Sequence, residues 1–285
     1  MKRKDGRKIR SLDPFMRIVP CVMKNRSDSM IMFSDDFSCD GMDNFIKEQK
    51  EKGVRYTYMD IITASIVRML ALHPQLNRFV MKGRIYARND ISISYAVQKD
   101  LRGGSSETTI KVHFDGTEDI KTVRDRLQGM ADSVTKTNGA TDTDTDQVAS
   151  LLTKIPDWLF YRAVRLIMKL DSINLLPSFI LEASPFHTSF FITNMKSLGI
   201  RSVYHHIYDF GTTGIFIGLG KEKLKPTVDI KDDIVPRKLL PLDVVIDERY
   251  CEGLDWAKGV KFLKKVLRDP SVLEKPLECR INDIE

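Results

Sequence analysis

The chain is poor in the features that mark disulfide-rich, membrane-spanning and metal-binding proteins. It has only four cysteines in 285 residues, and none of them forms a Cys-x-x-Cys pair. These few scattered thiols predict no disulfide framework and favour a reducing, cytoplasmic setting. No run of about 18 uninterrupted apolar residues occurs, so no membrane-spanning helix is expected. The five histidines have no metal-ligand spacing such as His-Glu-x-x-His, so no metal site is predicted.

The charge balance argues against a nucleic-acid surface. Lys plus Arg number 45 against 39 Asp plus Glu, and the net charge of +6 is spread along the chain. Nucleic-acid surfaces normally show basic clusters with aromatic residues between them. The one dense basic run is Met1–Lys8, which we interpret as part of a solvated tail over residues 1–13. The alternative for this run is a contact with an anionic partner such as a phosphate-bearing cofactor.

Periodicity in the first third of the chain predicts strands and then helices. Residues 17–24 and 29–37 are typical of two strands separated by a polar turn. A helix is predicted over 41–52, and a second one from Thr57 to about His73, where Pro74 follows.

The middle of the chain predicts a sheet, a helix and a polar loop. Strands are expected at 79–86, 91–97 and 108–114, and an amphipathic helix at 119–135. Residues 138–147 alternate acidic and small polar side chains, as a calcium loop does. They lack the terminal glutamate and the glycine of an EF-hand, so a surface loop is the better interpretation.

The remaining segments complete a mixed architecture. Residues 148–181 predict two apolar helices, strands are predicted at 188–194, 213–219 and 240–247, and a final helix at 254–268. Strands and helices alternate irregularly, with hairpin-like pairs as well as crossovers. This order favours an α/β (α+β) two-layer sandwich with a mixed β-sheet covered by helices, formed by one domain over residues 14–285.

Two adjacent histidines stand out in a polar segment. His205 and His206 precede Ile207-Tyr208-Asp209-Phe210-Gly211. Neighbouring side chains of an extended segment point to opposite sides, so one imidazole could face a pocket while the other packs or faces solvent. A purely structural role for both remains the alternative.

The segment Asp247-Glu248-Arg249-Tyr250-Cys251-Glu252-Gly253 follows an apolar strand and precedes an amphipathic helix. It resembles the His-x-x-x-Asp-Gly signature of the chloramphenicol acetyltransferases and of the acyltransferase cores of 2-oxo acid dehydrogenase complexes. Glu248 stands at the position of the base histidine, and Glu252 at that of the aspartate.

Four further segments resemble the same family in the same order. They are His73-Pro74-Gln75-Leu76-Asn77 with Gly83, the strand Ile91–Val97, the strand Ser189–Asn194, and Thr213–Lys221. The resemblance begins near residue 14 and is interrupted by residues 138–186, which we interpret as an insertion. We find no segment for lipoyl or subunit-binding modules, so a free-standing enzyme of the chloramphenicol acetyltransferase type is expected.

This resemblance implies a homotrimer whose active sites lie between subunits and take coenzyme A as the acyl-carrying co-substrate, with a small-molecule acceptor. Thr193 matches the hydroxyl that stabilises the oxyanion. The charge of Glu252 is expected to support the site by pairing with Arg17 or Arg249, and Asp247 and Gly253 complete the supporting turn.

The replaced histidine leaves three interpretations open. Carboxylates are weak bases unless burial raises their pKa, and a buried Glu248 could serve as general base. Alternatively His205 or His206 reaches the site and takes over. In the third interpretation the chain is a catalytically inactive homologue, a binding or scaffold subunit, with residues 155–181 as a docking surface rather than internal packing.

Overall fold

The chain was analysed as a computed structural model that describes residues 3–98, 107–135, 150, 153–229 and 231–285. The polar loop predicted at 138–147 lies outside these residues. None of the described helices has the length and apolarity needed to cross a bilayer.

Two sheets organise the described part of the chain. The larger one is mixed and has the order β2-β10-β8-β7-β5-β6, with β9 paired to the first half of β10. The smaller one has the order β1-β4-β3. The strands are β1 Gly6–Lys8, β2 Met30–Ser38, β3 Arg78–Met81, β4 Arg84–Arg88, β5 Ile91–Gln98, β6 Glu107–Phe114, β7 Phe190–Asn194, β8 Ile215–Leu219, β9 Lys223–Val228 and β10 Ile234–Asp247.

The described helices are α1 Pro14–Val22, α2 Asp40–Glu51, α3 Tyr58–Leu72, α4 Ile120–Thr135, α5 Asp157–Ser172, α6 Ser178–Ala183 and α7 Gly253–Arg268. Of these, α3, α4 and α7 pack against one face of the large sheet. Ile192 and Ile217 of the sheet share one buried apolar cluster with Ile66 of α3 and Leu263 of α7. The predicted α/β sandwich with a mixed sheet is confirmed, since β7 runs parallel to its neighbours β5 and β8 while β10 is antiparallel to β8.

The other face of the large sheet has its own small cluster. Phe191, Phe216 and Val245 pack there against Ile207, which belongs to a segment crossing over the sheet without regular structure. The rings of Phe191 and Phe216 are stacked at 4.8 Å. This face carries aromatic side chains, and at its β6 edge the Lys111 side chain donates to the backbone carbonyl of Leu181 at 2.9 Å.

The strand predicted at 17–24 is wrong, because residues 17–22 belong to α1, which ends at Val22. Asp13 caps this helix by accepting the Phe15 amide at 2.8 Å, and Pro14 occupies its first turn. Both are helix-start signals, and they outweigh the β-branched composition of the segment. The strand predicted at 79–86 is in fact the hairpin of β3 and β4, turned at Lys82 and Gly83.

The solvated tail predicted for residues 1–13 is also wrong for its described part. Gly6–Lys8 pairs with β4, and Arg3 is only 4% exposed. The Arg3 guanidinium donates to Asp5 at 2.7 Å and to Asp171 at 2.9 Å. Paired carboxylates thus allow a cation of the basic run to be buried.

Candidate active site

A buried ion pair shapes the turn that follows β10. Asp247 is fully buried, and its two carboxylate oxygens accept Nε and Nη2 of Arg249 at 2.8 and 2.7 Å. The Asp247 carboxylate also accepts the hydroxyl of Ser29 at 3.1 Å. The Arg249 guanidinium in turn donates to the backbone carbonyl of Lys24 at 3.0 Å, just beyond α1. The turn at 248–250 is therefore fixed to α1 and β2 by charged hydrogen bonds.

A second guanidinium lies against the same carboxylate. Arg26 Nε is 3.8 Å from Asp247, and its other nitrogens donate to the carbonyls of Asp209 and Val80 at 2.7 and 3.0 Å. Burial lowers the pKa of Arg26 to about 10, and Asp247 partly offsets this effect. Arg26 consequently keeps its charge at neutral pH, and the cluster holds two cations around one anion.

Glu248 points away from this cluster and lines an open cavity of about 790 Å³. The side chain is half-buried, and no described residue forms a hydrogen bond or an ion pair with its carboxylate. The cavity walls come from α1, β2 and α7 and are largely apolar, with Phe15, Met16, Val19, Phe33 and Trp256 among them. The arrangement leaves a carboxylate free to exchange a proton with a ligand.

The cavity also contains a thiol that sequence reasoning did not consider. Cys251 is 3% exposed. Burial raises the pKa of the Cys251 thiol well above its usual value, and the nearby Asp255 carboxylate raises it further. A thiol nucleophile must ionise, so Cys251 is suited to be a wall residue of this cavity rather than a nucleophile.

The ion pair expected between Glu252 and Arg17 or Arg249 is not formed within the described chain. Arg249 is bound to Asp247 instead, because Asp247 is buried and only two positions away. Glu252 is exposed and precedes the first turn of α7 without capping it by its side chain. Gly253 begins α7, and a methyl group added there would meet no atom within 4 Å.

Thr193 lies near the end of β7, on the sheet face opposite to α3 and α7. It is 8% exposed, and its hydroxyl has no hydrogen-bond partner among the described residues. Its neighbour across the ladder is Gly218 of β8. A methyl group on Gly218 would come within 2.3 Å of the carbonyl of Val203, so the crossing segment touches the sheet directly beside Thr193.

The two histidines lie on the same face as Thr193. The His205 ring stacks on Phe216 with a centroid distance of 4.0 Å and an interplanar angle of 8°. The His206 ring stacks in turn on His205 at 4.6 Å and is exposed. Both imidazoles thus stand on one side, because residues 201–208 form no regular strand.

Within one chain, Thr193 and Glu248 are far apart. Thr193 pairs with Gly218, and Gly218 pairs with Asp243 on β10, five residues before Glu248. Strand spacings of about 4.8 Å and a rise of about 3.3 Å per residue separate the two backbones by roughly 19 Å. A single acyl group cannot contact both side chains of the same copy.

Part of this site has no recognisable motif in the sequence. The walls supplied by α1 depend on a helix whose start signals, Asp13 and Pro14, precede residues with a strand-like pattern. Arg26 and Ser29 reach Asp247 only through long-range contacts. Burial of Arg26 at 3% exposure has no local sequence signal.

Solved acyltransferase structures are similar to this chain. The cubic core of a pyruvate dehydrogenase multienzyme complex aligns with a TM-score of 0.59 and 14% identity over 93% of each chain. The dihydrolipoamide acetyltransferase of Azotobacter vinelandii, examined for the role of a serine, a histidine and an asparagine in its catalytic mechanism, aligns at 0.58 with 14% identity over 93% of each chain. A chloramphenicol acetyltransferase aligns at 0.57 with 11% identity, over 92% of this chain and 99% of that one.

These likenesses confirm the fold expected from the sequence: the chain has the fold of the chloramphenicol acetyltransferases and of the dihydrolipoamide acetyltransferase cores. No sequence-family profile and no curated protein matches it. The function of the chain therefore depends on the side chains that it places on this fold.

Proposed function

We propose that this protein transfers an acyl group from acyl-coenzyme A to a thiol, hydroxyl or amine of a small-molecule acceptor. Glu248 of one copy is the general base, and Thr193 of a neighbouring copy donates to the oxyanion. The observation that carries this proposal is that both groups are unpaired within the described chain yet roughly 19 Å apart in it. A homotrimer with cyclic symmetry would bring each Glu248 to a Thr193 of the next copy.

The spacing of the acidic residues supports the assignment of Glu248. In the Azotobacter vinelandii enzyme, the histidine and the asparagine examined for catalysis are four positions apart. Glu248 and Glu252 have the same spacing and lie at the junction of β10 and α7. Glu248 therefore stands where a base is expected, with a carboxylate in place of an imidazole.

The chemistry needs only these two groups and the two substrates. Glu248 accepts the proton of the acceptor as the acceptor attacks the thioester carbonyl. The Thr193 hydroxyl donates a hydrogen bond to the oxygen that becomes negative. When the carbon–sulfur bond breaks, the coenzyme A thiolate takes the proton back from Glu248. The acyl group is then on the acceptor, and both side chains return to their starting state.

The surroundings of Glu248 suit this role. Apolar walls lower the local polarity around the carboxylate and so strengthen its electrostatic interactions, while Lys261 and Lys264 line the cavity from α7. The Asp247–Arg249 ion pair fixes the backbone on both sides of Glu248. Glu248 is thereby held in place, while its own carboxylate forms no hydrogen bond or ion pair with a described residue.

The histidine pair is the competing candidate for the base. His205 and His206 share a sheet face with Thr193 of the same chain. If one of them were the base, the site would be complete within a single copy. The two assignments consequently differ in which substitutions abolish turnover and in whether a second copy is required.

The direct test is release of the coenzyme A thiol from acetyl-coenzyme A with a panel of thiol, hydroxyl and amine acceptors. We expect E248Q to lower kcat by about 10²- to 10⁴-fold and T193A by about 10²- to 10³-fold. T193S keeps the hydroxyl and should retain most activity. E278Q, which changes an exposed glutamate outside the cavity, is the matched control. Turnover that is unaffected by E248Q but lost in H205N/H206N would move the base to the histidines.

The alternative function is that of an inactive homologue serving as a binding or scaffold subunit. One observation favours it: Trp158 and Tyr161 of α5 and Phe179 of α6 are 64%, 68% and 66% exposed. Exposed aromatic groups of this size are typical of interaction surfaces. If no acceptor in the panel is acylated by the wild-type protein, this alternative replaces acyl transfer.

A further inference from the structure

A second cavity lies on the other side of α1. It measures about 630 Å³ and is bounded by the N-terminal segment, α1 and the turn between β3 and β4. Its floor is apolar and includes Ile9 and Ile85, each 3% exposed. We call this cavity the basic groove, because its other lining residues include four cations, namely Lys8, Arg10, Arg17 and Arg84.

The four cations have no anionic partner in the part of the chain that the structure describes. None of their side chains forms an ion pair or a hydrogen bond with a described residue, and no carboxylate lines the groove. Other arginines of the chain do form ion pairs, since Arg78 and Arg249 each lie less than 3 Å from a carboxylate. Cations that line one cavity without a counterion give it a positive potential, so the groove attracts an anion.

The groove is built on ordered backbone. The amide of Ile9 donates to the carbonyl of Ile85 at 3.1 Å, which extends the pairing of β1 with β4. Lys82 and Gly83 have φ values of 48° and 67°, as a tight two-residue hairpin turn requires, and this turn fixes the position of Arg84. A preformed scaffold lowers the entropic cost of binding.

The acidic residues next to the groove form other hydrogen bonds. Asp13 caps α1 through the Phe15 amide. The main-chain oxygen of Glu285 accepts the backbone amides of Arg10 and Ser11 at 3.0 and 2.7 Å. Neither residue forms an ion pair with a cation of the groove.

We infer that the basic groove binds a ligand that joins one or more phosphate groups to an apolar moiety. Arginines bind phosphate oxygens through paired N–H groups, and the apolar floor would cover the rest of the ligand. The site is distinct from the acyl-transfer cavity. Arg17 and Ile18 face the groove while Met16 and Val19 face the Glu248 cavity, and helical spacing puts these pairs on opposite sides of α1.

Two sources offer this chemistry, a nucleotide and an anionic lipid headgroup. The probes are ADP, followed by titration calorimetry, and phosphatidylglycerol vesicles, followed by co-sedimentation against phosphatidylcholine vesicles. The test variant is R10Q/R17Q/R84Q, and the matched control is K47Q/K50Q/K52Q, which removes three exposed charges on and just after α2. Because all six side chains are exposed, thermal unfolding should show that both variants fold.

We expect the wild type and the control to bind at least one probe, with weaker binding at high salt. Loss of three charged contacts should weaken that binding at least tenfold, or about 1.4 kcal/mol. Binding of ADP alone identifies a nucleotide-like ligand, and binding of phosphatidylglycerol alone a lipid headgroup. The inference is overturned if the wild type binds neither probe, or if the triple arginine variant binds as tightly as the control.

Discussion

Asp247 and Arg249 are joined by two hydrogen bonds at 2.8 and 2.7 Å, and neither residue is more than 3% exposed. The pair sits on both sides of Glu248 and leaves it free. Arg26 adds a second cation at 3.8 Å from the same carboxylate. The turn that presents the proposed base therefore depends on one buried anion shared by two arginines.

Neutralising that anion should unfold or greatly weaken the protein. D247N leaves two buried guanidiniums without a compensating charge, and breaking a buried pair costs about 3–5 kcal/mol. Urea unfolding should show a correspondingly lower free energy of unfolding. D233N, at an exposed position on the turn between β9 and β10, should stay within about 0.5 kcal/mol of the wild type. A stable D247N protein would show that the arginines find other partners.

Gly218 should be intolerant of any side chain. G218A places a methyl group 2.3 Å from the Val203 carbonyl, which forces the crossing segment off the sheet beside Thr193. Such overpacking typically costs about 1–3 kcal/mol, and acyl transfer should fall as well. G129A in α4 meets no atom within 4 Å and should stabilise the helix by up to about 1 kcal/mol. Equal melting temperatures for G218A and the wild type would contradict the close contact.

Lys111 should make stability depend on pH above neutrality. Burial lowers the pKa of Lys111 to about 8 from its ordinary 10.5, against the attraction of Glu182. Between pH 10.5 and pH 8 the unfolded chain takes up a proton that the folded chain does not. Stability is therefore lost as the pH falls through this window, and the full penalty below it is about 3 kcal/mol.

K111M removes this titration. When the pH rises from 8 to 10, the unfolding free energy of the wild type should increase by about 2 kcal/mol relative to that of K111M. Urea unfolding at both pH values measures it. K47M, at an exposed lysine of α2, is the control and should show no such change. A difference that is constant with pH would mean that Lys111 is charged in the folded state.

The sequence predicts the elements whose pattern is local and misses those fixed by distant contacts. The helix from Thr57 was predicted because its cap and its apolar spacing lie within the segment, and Thr57 indeed forms a capping box with Asp60. The strand predicted at 17–24 fails because its valines and isoleucine suit either structure. Burial of Arg3 depends on Asp171, which is 168 positions away, so no window of sequence reveals it.

The candidate site was predictable in part for the same reason. The positions of Thr193 and Glu248 follow from short segments that resemble known acyltransferases. Their separation follows only from the register of β7, β8 and β10. Because this register keeps the two side chains apart within one chain, the proposed activity requires an assembly of several copies.

Subunit complementation tests the shared site most directly. T193A and E248Q are each expected to be inactive, and they should be co-expressed with different tags and purified as mixed assemblies. If each site of a trimer takes Thr193 from one copy and Glu248 from the next, every mixed trimer has one intact site out of three. We predict recovery of roughly one third of wild-type turnover with acetyl-coenzyme A. Mixed assemblies that remain as inactive as the parent variants would contradict this prediction.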